Sequence, residues 1–188
     1  FINLMQINYR PDLDGLRALA IISVVLFHAE FKLFGNFFLP GGFLGVDIFF
    51  VISGYLITTL ILKEIKYSSE FNFFRFYERR SRRILPALIL VIIITLIFGL
   101  FFLSAAEYVD LNKTILSALL FVSNFYFYFS EFSYNHDLSM LKPLLHTWSL
   151  SIEEQFYIFF PLLIWIIYKF FNFNLINLFV ILFLLSLS

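Results

Sequence analysis

Arg17 and His28 stand at the two ends of a short apolar stretch, with ten residues between them. An imidazole is therefore carried into a segment with the composition of a membrane span. An ionisable side chain is costly in hydrocarbon and marks a candidate functional site. In a helix, eleven steps of about 100° bring His28 to within roughly 20° of Arg17, about 16 Å along the axis. A cation and a base on one face predict a site that holds a long anionic substrate at both ends.

The imidazole of His28 is predicted to act as a base, because a histidine with a pKa near neutrality commonly activates a hydroxyl. Such a base needs a carboxylate to orient it, and Asp47 and Glu153 are the candidates. For each residue an alternative without catalysis stays open. His28 would be a neutral histidine that is hydrogen-bonded to another helix. Asp47 would be a partly hydrated carboxylate at the membrane interface, next to residues that pack helices together. Leucine would pack at lower cost than an imidazole, which favours function for His28.

Four arginines occupy five positions in the segment FYERRSRRILP, from Phe76 to Pro86. In a helix, Arg79, Arg82 and Arg83 share one face. Arginine suits phosphate better than lysine does, because its guanidinium is a planar fork. Two interpretations remain open: a phosphate-binding site, and a basic topology signal that meets anionic lipid headgroups.

A second polar cluster is HTWSLSIEEQFY, from His146 to Tyr157. A helix would place His146, Ser149 and Glu153 on one face. A catalytic or acceptor-binding role is favoured, because two adjacent carboxylates are a poor choice for merely starting a span. The alternative is a helix cap followed by an aromatic interface anchor.

The composition is typical of a polytopic membrane protein. Of the 188 residues, 61% are hydrophobic and 14% are charged, whereas a soluble domain is closer to half apolar and a quarter charged. The absence of cysteine excludes disulfides, thiol nucleophiles and thiolate metal sites. No metal site is predicted, and nothing beyond the arginine segment supports nucleic-acid binding.

Apolar stretches of about twenty residues predict membrane spans. The segment 63–83 holds seven of the thirteen basic residues, so the positive-inside rule places it and the N-terminus in the cytoplasm. Residues 111–129 fit a span and a re-entrant or interfacial helix equally well. The predicted fold class is an all-α polytopic transmembrane helix bundle. Its spans are Leu16 to Phe34, Phe43 to Leu62, Ile84 to Leu103, Phe156 to Phe171, and a stretch that begins near Leu175.

Four stretches share a pattern beyond their composition: YRPDLDGLRALAIISVVLFHAE (Tyr9 to Glu30), GGFLGVDIFFVISGYLIT (Gly41 to Thr58), FYERRSRRILP (Phe76 to Pro86) and LLHTWSLSIEEQFY (Leu144 to Tyr157). In this order they resemble the integral-membrane acyltransferase family 3, which includes bacterial enzymes that O-acetylate surface polysaccharides. The resemblance implies about ten transmembrane helices in a complete domain. Residues 1–188 would then be the N-terminal part of that domain, with five or six of the helices and no soluble domain.

The resemblance implies a multi-pass enzyme of the bacterial cytoplasmic (inner) membrane. It would move an acyl group, expected to be acetyl, from cytoplasmic acyl-CoA to a hydroxyl of a cell-surface or exported carbohydrate. Acetyl-CoA would be a co-substrate, with no bound cofactor. A rival class is a transporter or flippase for a glycan or an anionic substrate, in which the buried charges form a substrate or proton path.

The resemblance also suggests a role for each candidate residue. His28 matches the catalytic position of an Arg-x10-His element, and Arg79, Arg80 and Arg83 match a cytoplasmic motif that meets the donor's phosphates. The expected catalytic set is His28, Asp47 and Glu153, and the expected substrate-binding set is Arg17, Tyr55, Arg79, Arg80, Arg82, Arg83, His146 and Ser149.

Overall fold

The computed structural model describes residues 10–68, 71–131 and 142–170, and six helices dominate this part of the chain. Three of the described helices, α2, α3 and α6, are long and apolar enough to cross a membrane. The predicted all-α class is confirmed, whereas the apolar stretch from Leu175 lies outside the described residues. The helices are α1 (Pro11–His28), α2 (Leu44–Ser68), α3 (Phe73–Phe102), α4 (Ala105–Leu119), α5 (Ser123–Glu131) and α6 (Thr147–Phe170), and a short antiparallel hairpin pairs β1 (Lys32–Leu33) with β2 (Asn36–Phe37).

The first helix ends earlier than the sequence predicts. The expected span runs to Phe34, but α1 ends at His28. Glu30 and Phe34 have φ angles of 48° and 51°, and Gly35 has a φ of 83°. A right-handed helix cannot continue through such angles, so the chain turns into the β-hairpin. His28 consequently lies at the end of α1 and not inside a span.

Two glycines bring α1 and α2 into close contact. A Cβ at Gly45 would lie 2.5 Å from the carbonyl oxygen of Ala20, and one at Gly42 would overlap the carbonyl of Ser23. Small residues allow helix backbones to approach closely in this way, as is common between membrane helices. Because Gly42 also faces Phe27, nearer the turn, the two helices run antiparallel.

The third helix joins the arginine segment to a predicted span without a break. Asn72 caps its N-terminus, because the side-chain oxygen accepts a 2.9 Å hydrogen bond from the backbone N–H of Arg75. The predicted span from Ile84 to Leu103 forms the rest of the same helix. The arginines therefore stand on a rigid extension of a membrane-length helix.

The last described helix starts nine residues before the predicted span, since α6 begins at Thr147 and the prediction began at Phe156. It runs antiparallel to α3. The hydroxyl of Tyr77 donates to the carbonyl of Ile158 at 3.0 Å, and the ring of Phe73, one turn earlier on α3, meets the ring of Trp165. The polar cluster near residue 153 is thus part of the helix body.

The stretch that the sequence left ambiguous is a helical hairpin. Phe121, between α4 and α5, has a φ of 53° and interrupts the helix. The hydroxyl of Tyr126 on α5 donates a 2.6 Å hydrogen bond to Asp110 on α4. In one continuous helix these residues would be about 24 Å apart along the axis, too far for their side chains to meet. α5 therefore folds back beside α4.

Candidate functional site

The candidate residues lie at two levels of the bundle. The β-hairpin end carries β1 and β2, and the arginine end carries residues 75–83 of α3. α1 runs from the arginine end toward the β-hairpin end, and α2 returns beside it. Ser53 on α2 meets Glu153 on α6, and residues further along α2 (Ile57 and Ile61) cluster with residues further along α6 (Tyr157 and Ile164), so α6 runs in the same direction as α2. Positions along these helices can therefore be compared on one axis.

His28 lies at the β-hairpin end with its side chain exposed. Its Nδ1 is 2.9 Å from the carbonyl oxygen of Val24, one turn earlier in α1. Because a carbonyl oxygen can only accept, Nδ1 carries a proton and donates it. In the neutral ring, Nε2 is then the unprotonated nitrogen. This tautomer presents Nε2 as a proton acceptor.

His146 immediately precedes α6 and lies within electrostatic reach of His28. Its partial burial lowers its pKa below the ordinary value, and the positive charge of His28 lowers that pKa further. Such an effect requires proximity, because solvent and salt screen charges that are far apart. The hydroxyl of Ser149 donates to the carbonyl of His146 at 3.1 Å. His28 and His146 are therefore close enough to interact electrostatically, and Ser149 is hydrogen-bonded to the backbone of His146.

Glu153 lies between α2 and α6, farther from the β-hairpin end than His28 and His146. Its carboxylate accepts hydrogen bonds from the hydroxyl of Ser53 on α2 and from the hydroxyl of Tyr157, one turn further along α6. Hydrogen bonds of this kind offset the cost of removing a carboxylate from water. Glu153 therefore joins the two helices through hydroxyl groups.

The structure does not bring Glu153 to His28. Ser53, the partner of Glu153, lies eight residues along α2 from Gly45, and Gly45 faces Val24 on α1. On α1, His28 lies four residues beyond Val24, toward the β-hairpin end and away from the level of Ser53. These twelve residues at 1.5 Å each correspond to about 18 Å along the helix axes.

Asp47 is nearer to the level of the histidines. It occupies the first turn of α2, six residues before Ser53, and its side chain is exposed. Because α2 and α6 run parallel, the residue seven positions before Glu153 lies at almost the same height as Asp47. That residue is His146. Of the two carboxylates considered for orienting His28, Asp47 is therefore the nearer one, at about 9 Å from His28 along the helix axes against about 18 Å for Glu153.

The four arginines of α3 have different surroundings. Arg79 and Arg83 are exposed, and Arg82 is exposed as well, paired with Glu78 one turn earlier at 2.7 Å. The guanidinium of Arg80 instead lies inside the bundle. Three arginines therefore present a positive surface at the arginine end.

Arg17 and Tyr55 lie on α1 and α2, farther than His28 from the β-hairpin end. Arg17 pairs with Asp14 at 3.2 Å, one turn earlier on α1. The hydroxyl of Tyr55 accepts a 3.4 Å hydrogen bond from Arg10, whose guanidinium also pairs with Asp12. α1 spans the distance between this polar group and His28.

Sequence reasoning missed the hydroxyl groups that hold α6 in place. The side chains of Ser123, Thr147 and Ser151 are buried, with Ser123 Oγ 2.7 Å from Ser151 Oγ and 3.1 Å from Thr147 Oγ1. Gln155 donates to the carbonyl of Phe121 at 2.7 Å. These bonds fix the tip of the α4–α5 hairpin against the first turns of α6, next to His146.

The sequence indicates only one of the two hydrogen bonds that Glu153 accepts. Glu153 and Tyr157 are four residues apart, so a helix places them side by side. In contrast, Ser53 is one hundred residues from Glu153. No local pattern links two such positions.

Comparison with known proteins gives a family match over nearly the whole chain. A family described as an acyltransferase domain matches residues 10–188. The O-acetyltransferase OatA of Staphylococcus aureus (strain NCTC 8325 / PS 47) is 39% identical over 182 residues, which cover 96% of this chain and 29% of the relative. A putative O-acetyltransferase of S. aureus (strain MSSA476) is 40% identical over 164 residues, 87% of this chain and 26% of the relative.

The chain therefore spans less than a third of the length of these curated relatives. No solved structure matches it.

Proposed function

We propose, from the premise that this chain belongs to the acyltransferase domain family, that it forms part of a membrane O-acetyltransferase. The enzyme would take an acetyl group from cytoplasmic acetyl-CoA and transfer it to a hydroxyl of a cell-surface or exported carbohydrate. The similarity to O-acetyltransferases of S. aureus supports this reaction and favours it over the transporter alternative.

The observation that carries the proposal is the 2.9 Å contact between His28 Nδ1 and the carbonyl oxygen of Val24. Donation from Nδ1 to Val24 leaves Nε2 as a base, at the end of a helix and within electrostatic reach of a second imidazole, that of His146. Asp47 lies at the level of His146, about 9 Å from His28 along the helix axes. We assign the chemistry to this end of the bundle, with His28 as the catalytic residue and His146, Ser149 and Asp47 around the acceptor.

The donor would bind from the opposite end. Arg79, Arg82 and Arg83 offer guanidinium groups to the phosphates of coenzyme A, and Arg17 extends the positive charge toward α1. The nucleotide and the thioester of acetyl-CoA are joined by a long pantetheine arm. Such an arm suits a site whose cation and base are separated by about 16 Å along α1.

In the proposed step, Nε2 of His28 removes the proton from the acceptor hydroxyl as the oxygen attacks the thioester carbonyl. The C–O bond of the new ester forms, the C–S bond breaks, and the imidazolium returns its proton to the thiolate of coenzyme A. General-base assistance of this kind contributes typically about 10²–10⁴-fold to a rate. Transient acylation of His28, followed by transfer to the hydroxyl, is the second route that the same base supports.

The test is transfer of labelled acetyl from acetyl-CoA to glycan in membranes that contain the complete enzyme. His28→Ala is expected to lower the labelled product by about 10²-fold or more while the protein remains in the membrane. Lys32→Gln, on the β-hairpin, is the matched control and is expected to retain normal transfer. Near-normal product from His28→Ala would contradict the role of His28, and a wild-type enzyme that leaves no label on glycan would contradict the proposed reaction.

A further inference from the structure

Arg80 differs from the other arginines of α3 in the direction that its side chain takes. Its side chain is 20% exposed, whereas that of Arg82 is 79% exposed. At about 100° per residue, Arg80 falls on the face of α3 that carries Phe73 and Tyr77, and this face packs against α6. The helix thus separates one inward arginine from three outward ones.

The inward guanidinium has two partners on α6. Arg80 Nη2 forms an ion pair with Glu154 Oε1 at 3.6 Å, and the Glu154 side chain is 12% exposed. The guanidinium carbon also lies 3.2 Å from the centroid of the Tyr157 ring. Arginine stacks on aromatic faces in this manner because the guanidinium is planar and weakly hydrated.

Tyr157 connects these contacts to the third helix. While its ring lies under Arg80, its hydroxyl donates to Glu153, which also accepts a hydrogen bond from Ser53 on α2. One continuous set of contacts therefore runs from Arg80 on α3 through α6 to Ser53 on α2.

From these contacts we infer that Arg80 is a positioning residue and does not bind the phosphates of the donor. It holds α6 against α3 through Glu154 and, through Tyr157, keeps Glu153 at Ser53. The inference rests on the proposed function, since it divides the arginines into one that fixes the helices and three that meet the donor.

A physical argument favours this division. If Arg80 turned outward to a phosphate, Glu154 would remain buried without its cation, and removing one member of a buried ion pair is strongly destabilising. Arg79 and Arg83 can bind a phosphate without leaving a buried carboxylate unpaired, because their side chains are already exposed. The three outward arginines can bind phosphate while the helix packing stays unchanged.

The consequence for the enzyme is a connection between helix packing and the reacting groups. α6 begins directly after His146, and its register along α3 and α2 depends on the contacts of Arg80 and Glu153. Loss of these contacts would displace His146 relative to His28. A displacement of about 1 Å can reduce a rate by roughly 10²-fold, even when it arises far from the chemistry.

The test separates donor binding from turnover in the complete enzyme in membranes. The probe for the phosphate site is adenosine 3′,5′-bisphosphate, a competitor that carries the nucleotide but not the pantetheine arm. Arg80→Gln combined with Glu154→Gln removes both charges, so that neither is left buried alone. We expect kcat to fall about tenfold or more, whereas the inhibition constant of the nucleotide and the KM for acetyl-CoA stay within about twofold.

Two single substitutions make the test specific. Tyr157→Phe keeps the ring under Arg80 but removes the hydroxyl bond to Glu153, so kcat should again fall while the inhibition constant is unchanged. Arg82→Gln removes an outward arginine and should raise the inhibition constant roughly fivefold or more. Arg75→Gln, an exposed residue in the first turn of α3, is the control and should change neither constant.

Two results would overturn the inference. One is a rise in the nucleotide inhibition constant of the Arg80→Gln/Glu154→Gln enzyme as large as that of Arg82→Gln. The other is an unchanged kcat in that enzyme or in Tyr157→Phe. Both require an active wild-type enzyme, so they are distinct from failure of the proposed function, in which the wild type transfers no acetyl group at all.

Discussion

The hydroxyl of Tyr126 donates a 2.6 Å hydrogen bond to the carboxylate of Asp110, although a break in the helix separates the two residues. Lys142 adds an ion pair to Asp110 at 3.5 Å and donates to Ser130 at 3.2 Å. The middle of α4 and the middle of α5 therefore lie side by side. α4 packs along α3, with Leu111 against Gly99, so the hairpin returns toward the level from which it started.

We predict from this geometry that residues 105–131 enter and leave the bilayer on the same side. Cysteines introduced by Ala105→Cys and Phe129→Cys, each as the sole cysteine in the protein, should react equally with a membrane-impermeant maleimide in intact cells. Arg75→Cys, at the other end of α3, should react only after permeabilisation. If Phe129→Cys behaved like Arg75→Cys, α4 and α5 together would cross the membrane.

The close approach of α1 and α2 predicts opposite effects for two glycines in α2. Gly45→Ala places a methyl group against the backbone of Ala20, and such overpacking typically costs about 1–3 kcal/mol. Gly54, in the same helix, has open space around its Cα, so Gly54→Ala should raise helix stability by up to about 1 kcal/mol. The measurement is the temperature at which each purified variant loses its folded state in detergent.

The two alanine variants serve as controls for each other. Equal midpoints for Gly45→Ala and Gly54→Ala would show that α1 and α2 do not meet at Gly45. Because α1 carries His28, the Gly45→Ala enzyme should also lose acetyl transfer at temperatures where it remains folded.

The low pKa of His146 predicts a loss of stability on acidification. Its ordinary value is 6.5, and burial, followed by the charge of His28, lowers that pKa in the folded state. The unfolded chain then binds more protons in the range just below 6.5, so the folded state is disfavoured there. The contribution of His146 is fully present above the ordinary value and is lost as the pH falls toward the folded-state pKa.

The corresponding measurement is the thermal midpoint of wild type and His146→Gln as the pH is lowered from about 8 to about 5.5. The wild-type midpoint should fall more than that of His146→Gln. His28→Gln removes the charge of His28, which is the second cause of the lowered pKa of His146. The thermal midpoint of this variant should therefore fall less than that of the wild type but more than that of His146→Gln. A His146→Gln profile parallel to that of the wild type would contradict the lowered pKa.

The elements of the fold were predictable wherever they depend on local composition. Long apolar stretches indicated α2, α3 and α6, and periodicity placed Arg79, Arg82 and Arg83 on one face. The end of α1 was not predictable in this way, because it depends on positive φ angles at Glu30 and Phe34. Neither position is a glycine, so the local sequence gives no sign of these angles.

The same division applies to the candidate site. The residue types and their order along the chain indicated His28, His146 and the arginines. An ionisable residue within or beside an apolar stretch can be seen in the local sequence, and its burial in hydrocarbon is costly unless it has a function. Glu153 was singled out for the same reason, but as a neighbour of His28. Its actual partners are Ser53 and Tyr157.

The sequence by itself determined that this chain forms membrane-length helices, which residues in them are ionisable, and which family it belongs to. Only the tertiary structure decided that Arg80 turns inward to Glu154, that Glu153 lies about 18 Å along the bundle from His28, and that α4 and α5 fold back as a hairpin. The physical reason is that helix formation and the cost of a buried charge depend on neighbours in sequence. The choice of partner for a buried charge depends on helix register, and contacts between residues far apart in the chain set that register.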